Sequence, residues 1–151
     1  APNHKKPEPW RFKVIRGEAR QRLADFLGTT YKRLTPADAF SEQKFKKLST
    51  NPIKANTVIA ICMQRDPAES LPEWEELAAT AMAVQNLWLT ATSHGLGGYW
   101  SSPGLITHLG PFLNLAEGER CLGLFYLAHH QSPTLPRERG DINEKVEWMT
   151  E

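Results

Sequence analysis

The chain has 151 residues, 40% apolar and 23% charged, enough for a single globular domain with a real core. Eighteen basic against 17 acidic residues leave a formal charge of +1, which excludes a broad electrostatic footprint for nucleic acid or an anionic membrane. Cys62 and Cys121 each sit inside an apolar run, so they read as buried thiols and not as a disulfide framework or a metal cluster. Reduced cysteines and an opening without an export pattern set the expectation of an intracellular site, cytoplasmic or organellar.

Residues 1–9 are polar and proline-bearing and predict a loop. Arg11-Phe12-Lys13-Val14-Ile15-Arg16 mostly alternates, the two-residue period of a half-buried strand, and Gly17 closes it. Ala19, Leu23, Phe26 and Leu27 then fall near helical spacing, with Gly28 as the expected stop. A second helix is expected over residues 35–48, capped by Thr35 with Pro36 in its first turn. Its basic end, Lys44, Lys46 and Lys47, suits the helix C-terminus and reads as a solvated charged face.

Asn51-Pro52 is expected to break the chain before Thr57-Val58-Ile59-Ala60-Ile61-Cys62-Met63, a continuous apolar run of the kind found in strands buried on both faces. After a linker over residues 66–71, Pro72 and the acids Glu73, Glu75 and Glu76 mark the start of a long helix that Gly95 ends. This helix is apolar around most of its circumference, the pattern of a buried central helix. Thr80, Gln85, Asn86, Thr90 and Thr92 interrupt its uncharged run, which falls short of a membrane span. A short strand is expected at residues 98–101, helical turns at 103–109, an irregular stretch at 111–117, and a second doubly buried strand at 121–128. The tail from residue 133 is rich in charge and proline until Ile142, Val146, Trp148 and Met149 restore an apolar spacing, which predicts an arm that docks on its own core or on a partner. Strands separated by helices imply an α+β or α/β sandwich.

The glycines at 95, 97 and 98 end a helix instead of opening one, which argues against a Rossmann or Walker phosphate loop, and no Gly-x-Ser-x-Gly elbow is present. His4, His94, His108, His129 and His130 match none of the usual metal-ligand spacings, so no metal site is expected. His4 lies in a polar loop able to bind an anion or a planar polar ring. His94 sits at the negative end of the long helix, where a cation is stabilising. Trp100 with Ser101 and Ser102 offers an aromatic and hydroxyls to a ligand, although a strand tryptophan is more often core.

Several stretches together resemble the flavin-dependent nitroreductase family, in particular its small bacterial-type members. They are Ala1-Pro2-Asn3-His4-Lys5 followed by Pro9-Trp10-Arg11-Phe12, then Gln85-Asn86-Leu87-Trp88-Leu89 with Gly95-Leu96-Gly97-Gly98-Tyr99-Trp100. Leu115-Ala116-Glu117-Gly118-Glu119 before Leu122-Gly123-Leu124-Phe125-Tyr126-Leu127, and Glu144-Lys145-Val146-Glu147-Trp148, follow in the same order. The resemblance implies an α+β three-layer sandwich: one domain over residues 1–151, a small mixed sheet with helices on both faces around a central apolar helix, and a C-terminal arm over residues 133–151. It implies a homodimer with FMN at the subunit interface, reduced by NADH or NADPH and reoxidised by a nitroaromatic, quinone or related acceptor.

By the same resemblance, His4 approaches the flavin of the opposite subunit, while Tyr99, Trp100, Ser101 and Ser102 line it from their own. Leu89, Thr90, Ala91, Thr92, Ser93 and His94 meet the nicotinamide nucleotide. The family's Arg-Arg-Ser helix, which grips the FMN phosphate, has no counterpart in this sequence. Two expectations follow: a nitroreductase whose N-terminal helix lies outside this sequence or comes from another subunit, or a structural or assembly subunit that keeps the fold without flavin.

Overall fold

The computed structural model describes residues 1–130 and 138–150. The elements run β1 (Trp10–Ile15), α1 (Glu18–Leu34), α2 (Glu42–Lys54), β2 (Thr57–Gln64), α3 (Glu73–Ser93), β3 (Leu96–Ser101), α4 (Gly110–Leu113) and β4 (Glu119–His129), with short 3-10 turns between several of them. The four strands form one sheet in the order β1-β2-β4-β3. The apolar runs at β2 and β4 accordingly take the two central positions.

The sheet is antiparallel at every junction among the described residues, where a mixed sheet was expected. Chain reversals explain this. The α1–α2 hairpin returns the chain to the end of the sheet at which β1 stopped, so β2 runs back beside it. The single helix α3 makes β3 run in the same direction as β2, but β4 inserts between them and pairs antiparallel with both. Helices lie on both faces: α1, α2 and α4 cover one through Leu23, Leu27, Tyr31, Leu48 and Leu113, and α3 covers the other, where Val84 meets Ile61 and Phe125. Both thiols are free and buried within the first layer.

Three local expectations are corrected by packing. Gly28 does not stop α1, which continues to Leu34; the residue lies where α1 crosses α2, and a β-carbon there would stand 3.2 Å from the Phe45 ring. Thr35 is the C-cap of α1, its N–H donating to Tyr31 O at 3.0 Å, and the cap of α2 is Ser41, whose side chain accepts from the Lys44 N–H. Pro52 does not break the chain, because it falls in the last turn of α2, where the loss of one N–H is tolerated and the Ala55 N–H still closes on Asn51 O at 3.2 Å. Gly95, by contrast, ends α3 as expected, with φ +70°.

Helix α3 buries Ala79, Thr80, Val84 and Ala91 against the sheet but leaves Trp74, Leu77, Met82, Trp88 and Leu89 exposed, Trp74 at 67% and Leu89 at 59%. A helix apolar all round therefore has only one face covered by its own chain. Its first turn is anchored by Glu76, whose side chain is fully buried: it pairs with Arg65 and accepts the Asp66 N–H at 2.8 Å, while Arg65 donates to Leu71 O at 2.9 Å. In the tail, Ile142, Val146, Trp148 and Met149 are exposed, Trp148 at 81% and Met149 at 89%; the first part of the arm lies outside the described residues. No helix among the described residues is long and apolar enough to cross a membrane.

Candidate functional site

The two-residue period of β3 sorts the glycine-aromatic segment onto opposite faces. Tyr99 faces the α1–α2 layer and stacks on Tyr126 with ring centroids 5.1 Å apart and planes 20° off parallel. Trp100 faces α3 and packs with Ile61, Val84 and Phe125. The segment runs close enough to β4 that a β-carbon on Gly98 would fall 2.6 Å from the Phe125 ring, so only glycine lets the strand lie here.

Where β3 and β4 meet the C-terminal turns of α2, a cavity of about 310 Å³ opens, lined by Asn51, Lys54, Gly97, Gly98, Tyr99 and Tyr126 among others. A second cavity of about 370 Å³ adjoins it through Asn51, Tyr99 and Tyr126 and extends along α2 to Lys47 and Lys44, with Ser101 on its sheet side. The Asn51 side-chain amide donates to the Tyr99 hydroxyl at 3.2 Å, tying α2 to β3 across the junction. Burial holds the phenol pKa values of Tyr99 and Tyr126 above the usual range, so both rings stay neutral at physiological pH. Among the described residues no carboxylate lines either cavity; the formal charges there are lysines.

Tyr99 and Ser101 both line the second cavity, while the Trp100 side chain lies on the other side of the sheet, its Nε1 buried without a hydrogen-bond partner among the described residues. Ser102 follows the strand and its hydroxyl donates to Leu122 O at 3.4 Å. His4 is elsewhere: its Nδ1 lies 3.0 Å from Glu75 Oε2, and it lines a cavity of about 300 Å³ with Trp74 and Met82 on the exposed face of α3. Of residues 89–94, Leu89 is exposed and Ala91 buried, the Thr92 and Ser93 hydroxyls donate to the carbonyls of Trp88 and Thr90, and the His94 N–H closes the helix. None of these six lines the cavities described above.

Sequence reading missed Asn51, Lys54 and Tyr126, and it took Lys44 and Lys47 for a solvated face. Their signal was the spacing 44, 47, 51, 54, one face of a helix. Pro52, a residue that breaks most helices, masks it.

The three-layer sandwich with its antiparallel sheet and long exposed helix is the nitroreductase fold. The nitroreductase-like protein of Bacillus cereus superposes with a TM-score of 0.79 at 30% identity, covering 99% of this chain and 78% of the other. The NfnB nitroreductase of Mycobacterium smegmatis shares the fold at TM-score 0.74 and 16% identity, covering 99% and 83%. The nitroreductase family model matches residues 1–129, and the chain belongs to that family. Its relatives include YdjA of Escherichia coli, a protein carrying the name NAD(P)H nitroreductase, at 29% identity over 135 residues, 87% of this chain and 70% of YdjA. YfhC of Bacillus subtilis, similarly named, is 29% identical over 152 aligned residues, 99% of this chain and 77% of YfhC.

Proposed function

We propose that the chain is an FMN-dependent oxidoreductase that passes electrons from NADH or NADPH to a nitroaromatic, quinone or related acceptor. The carrying observation is the pair of joined cavities, in which an aromatic platform, an amide and an exclusively cationic charge set converge on a glycine-rich strand. These residues fit a flavin mononucleotide. The stacked Tyr99–Tyr126 pair forms an apolar wall for a planar ring, Asn51 and the Lys54 ammonium present donors to its polar edge, and the phosphate meets no repelling carboxylate. FMN bound there would supply the electron chemistry, accepting a hydride from the nicotinamide and returning electrons to the acceptor. The protein's part is to orient the ring, keep neutral phenols against it, and bias its reduced, more negative form with the nearby lysine charge. Family membership and the names of YdjA and YfhC support the same reading.

The working unit is a homodimer. A second copy covers Trp74, Leu77, Met82, Trp88 and Leu89, an apolar patch that a monomer would leave in water. His4 lies on this same face of α3, across the sheet from the joined cavities, and the exposed Trp148 and Met149 of the arm dock on the partner. The end of α3, residues 89–94, is the approach for the nicotinamide nucleotide. Sedimentation velocity reads the oligomeric state; a monomer at micromolar concentration would remove the interface from the model of function.

The deciding measurement is the visible spectrum of the desalted protein, before and after incubation with FMN. Oxidised-flavin absorption that bleaches on adding NADH or NADPH is expected, and a colourless protein that takes up no FMN overturns the proposal. Asn51→Ala, which removes one hydrogen-bonding group from the ring edge, should weaken FMN binding about 5- to 10-fold in a fluorescence titration.

A further inference from the structure

The two cysteines of the chain face one another across the centre of the sheet. Cys62 on β2 and Cys121 on β4 are register partners, and directly opposed residues of an antiparallel pair have Cα atoms about 4.5 to 5.5 Å apart. A disulfide takes Cα separations of about 4.4 to 6.8 Å, so the backbone already meets its main requirement. A local irregularity makes this so. β2 pairs Ile61 with Gly123 but Cys62 with Cys121, which leaves Leu122 as an extra residue on β4. Leu122 packs on the α3 side, while Cys121 joins Leu124 and Tyr126 on the side of α1 and α2, where Cys62 also lies. Without the extra residue, the two-residue period would turn Cys121 away from the face that holds Leu124.

The two thiols are chemically unequal. The Cys62 S–H hydrogen-bonds to the Cys121 sulfur and stabilises a thiolate there against the opposing effect of burial, so the Cys121 pKa is lowered and that of Cys62 raised. Cys62 is fully buried, whereas Cys121 keeps 7% of its surface open. The charged groups that act on the pair are Glu119, whose carboxylate disfavours a thiolate at both sulfurs, and Lys13, 3.2 Å from Glu119. Cys121 is thus the sulfur that a small oxidant meets first.

We propose that Cys62 and Cys121 are a redox-active pair, a modification site that a hydroperoxide converts from dithiol to cross-strand disulfide. The Cys121 thiolate attacks one peroxide oxygen and the O–O bond breaks. The sulfur becomes a sulfenic acid, and the departing oxygen takes up the proton that Cys121 released and leaves as water. The Cys62 sulfur then attacks Cys121, the S–OH bond breaks, and the hydroxyl leaves with the Cys62 proton as a second water. Two thiols and one hydrogen peroxide give one disulfide and two waters. The bond joins the two central strands and closes a loop over residues 62–121 that carries α3 and β3. Neither cysteine lines the two joined cavities, so the pair does not depend on flavin binding.

To test this, the full chain is treated with hydrogen peroxide under native conditions, then unfolded and its thiols counted. The count should fall from two per chain to none and return to two with dithiothreitol, and peptide mass spectrometry should join Cys62 to Cys121 within one chain. This wild-type count stands even where a variant fails to fold. Cys62→Ser, whose hydroxyl can still donate to Cys121, should stop at the sulfenic acid. Dimedone should trap it there about 10-fold faster than it traps Cys62 in Cys121→Ser. Two thiols surviving peroxide, a cross-link only between chains, or sulfinic acid without a disulfide overturns the site. Equal trapping in the two variants overturns Cys121 as the attacking sulfur.

Discussion

Glu76→Ala is expected to destabilise the fold by about 3–5 kcal/mol, the cost of removing one partner from a buried ion pair. The carboxylate has no exposed surface and satisfies two groups at once, the Arg65 guanidinium and the Asp66 N–H, while Arg65 in turn holds Leu71 O. Its loss strands the half-buried Arg65 cation and a backbone donor and frees the 66–71 loop from the start of α3. For a chain of this size that corresponds to a fall in Tm on the order of 10 °C. Glu76→Gln keeps the shape and one acceptor and should lose clearly less. The effect also reaches the surface of α3: His4 is held by Glu75, and Lys5 donates to Ser70 O at 3.0 Å, so the same loop positions the N-terminal segment. Urea denaturation of the two variants checks this; a loss under about 1 kcal/mol for Glu76→Ala would show that the pair is relaxed by solvent.

Gly123→Ala should have the second large effect, about 1–3 kcal/mol and near the upper end. Gly123 lies on β4 beside β3, at the irregularity in register opposite Ile61 and Cys62. A β-carbon there would stand 2.1 Å from Trp100 Nε1 and 2.7 Å from Ser101 O. The second contact is backbone and cannot swing away, so β3 must shift or the indole must leave its place against Val84 and Phe125. Either movement displaces Tyr99 and Ser101 on the other face, and FMN affinity should fall together with stability. Trp100→Leu in the same chain relieves only the indole clash. A double-mutant cycle should therefore show favourable coupling of about 1 kcal/mol and incomplete rescue; full additivity would mean that the indole and the glycine do not meet.

The elements that were legible from residue order are those whose signal is local. The middle of β2 and of β4 is a continuous apolar run because both faces are covered there, and Gly95 stops α3 because a left-handed turn there suits glycine. Gly28 and Pro52 misled for one common reason. Helix-breaking propensity is worth about 1 kcal/mol for glycine, and proline in a last turn forfeits little, whereas the α1–α2 crossing buries several large side chains and dominates. Once α2 is seen to continue through Pro52, Asn51 and Lys54 fall on its cavity face. Tyr99 and Trp100 show the reverse limit: adjacent in sequence and both plausible ligands, they are parted by the pleat of one strand.

The sequence by itself determined the family, the two strands buried on both faces, the long apolar helix and the glycine turn that leads into Tyr99 and Ser101, since all of these are written in spacing and residue type along the chain. Tertiary structure alone decided that α2 brings Asn51, Lys54, Lys47 and Lys44 to that strand, that Trp100 belongs to the core beneath it, and that an apolar helix keeps one face open. Those outcomes depend on which surfaces meet across tens of residues. Apolarity along a chain tells how much surface must be covered, but not by what.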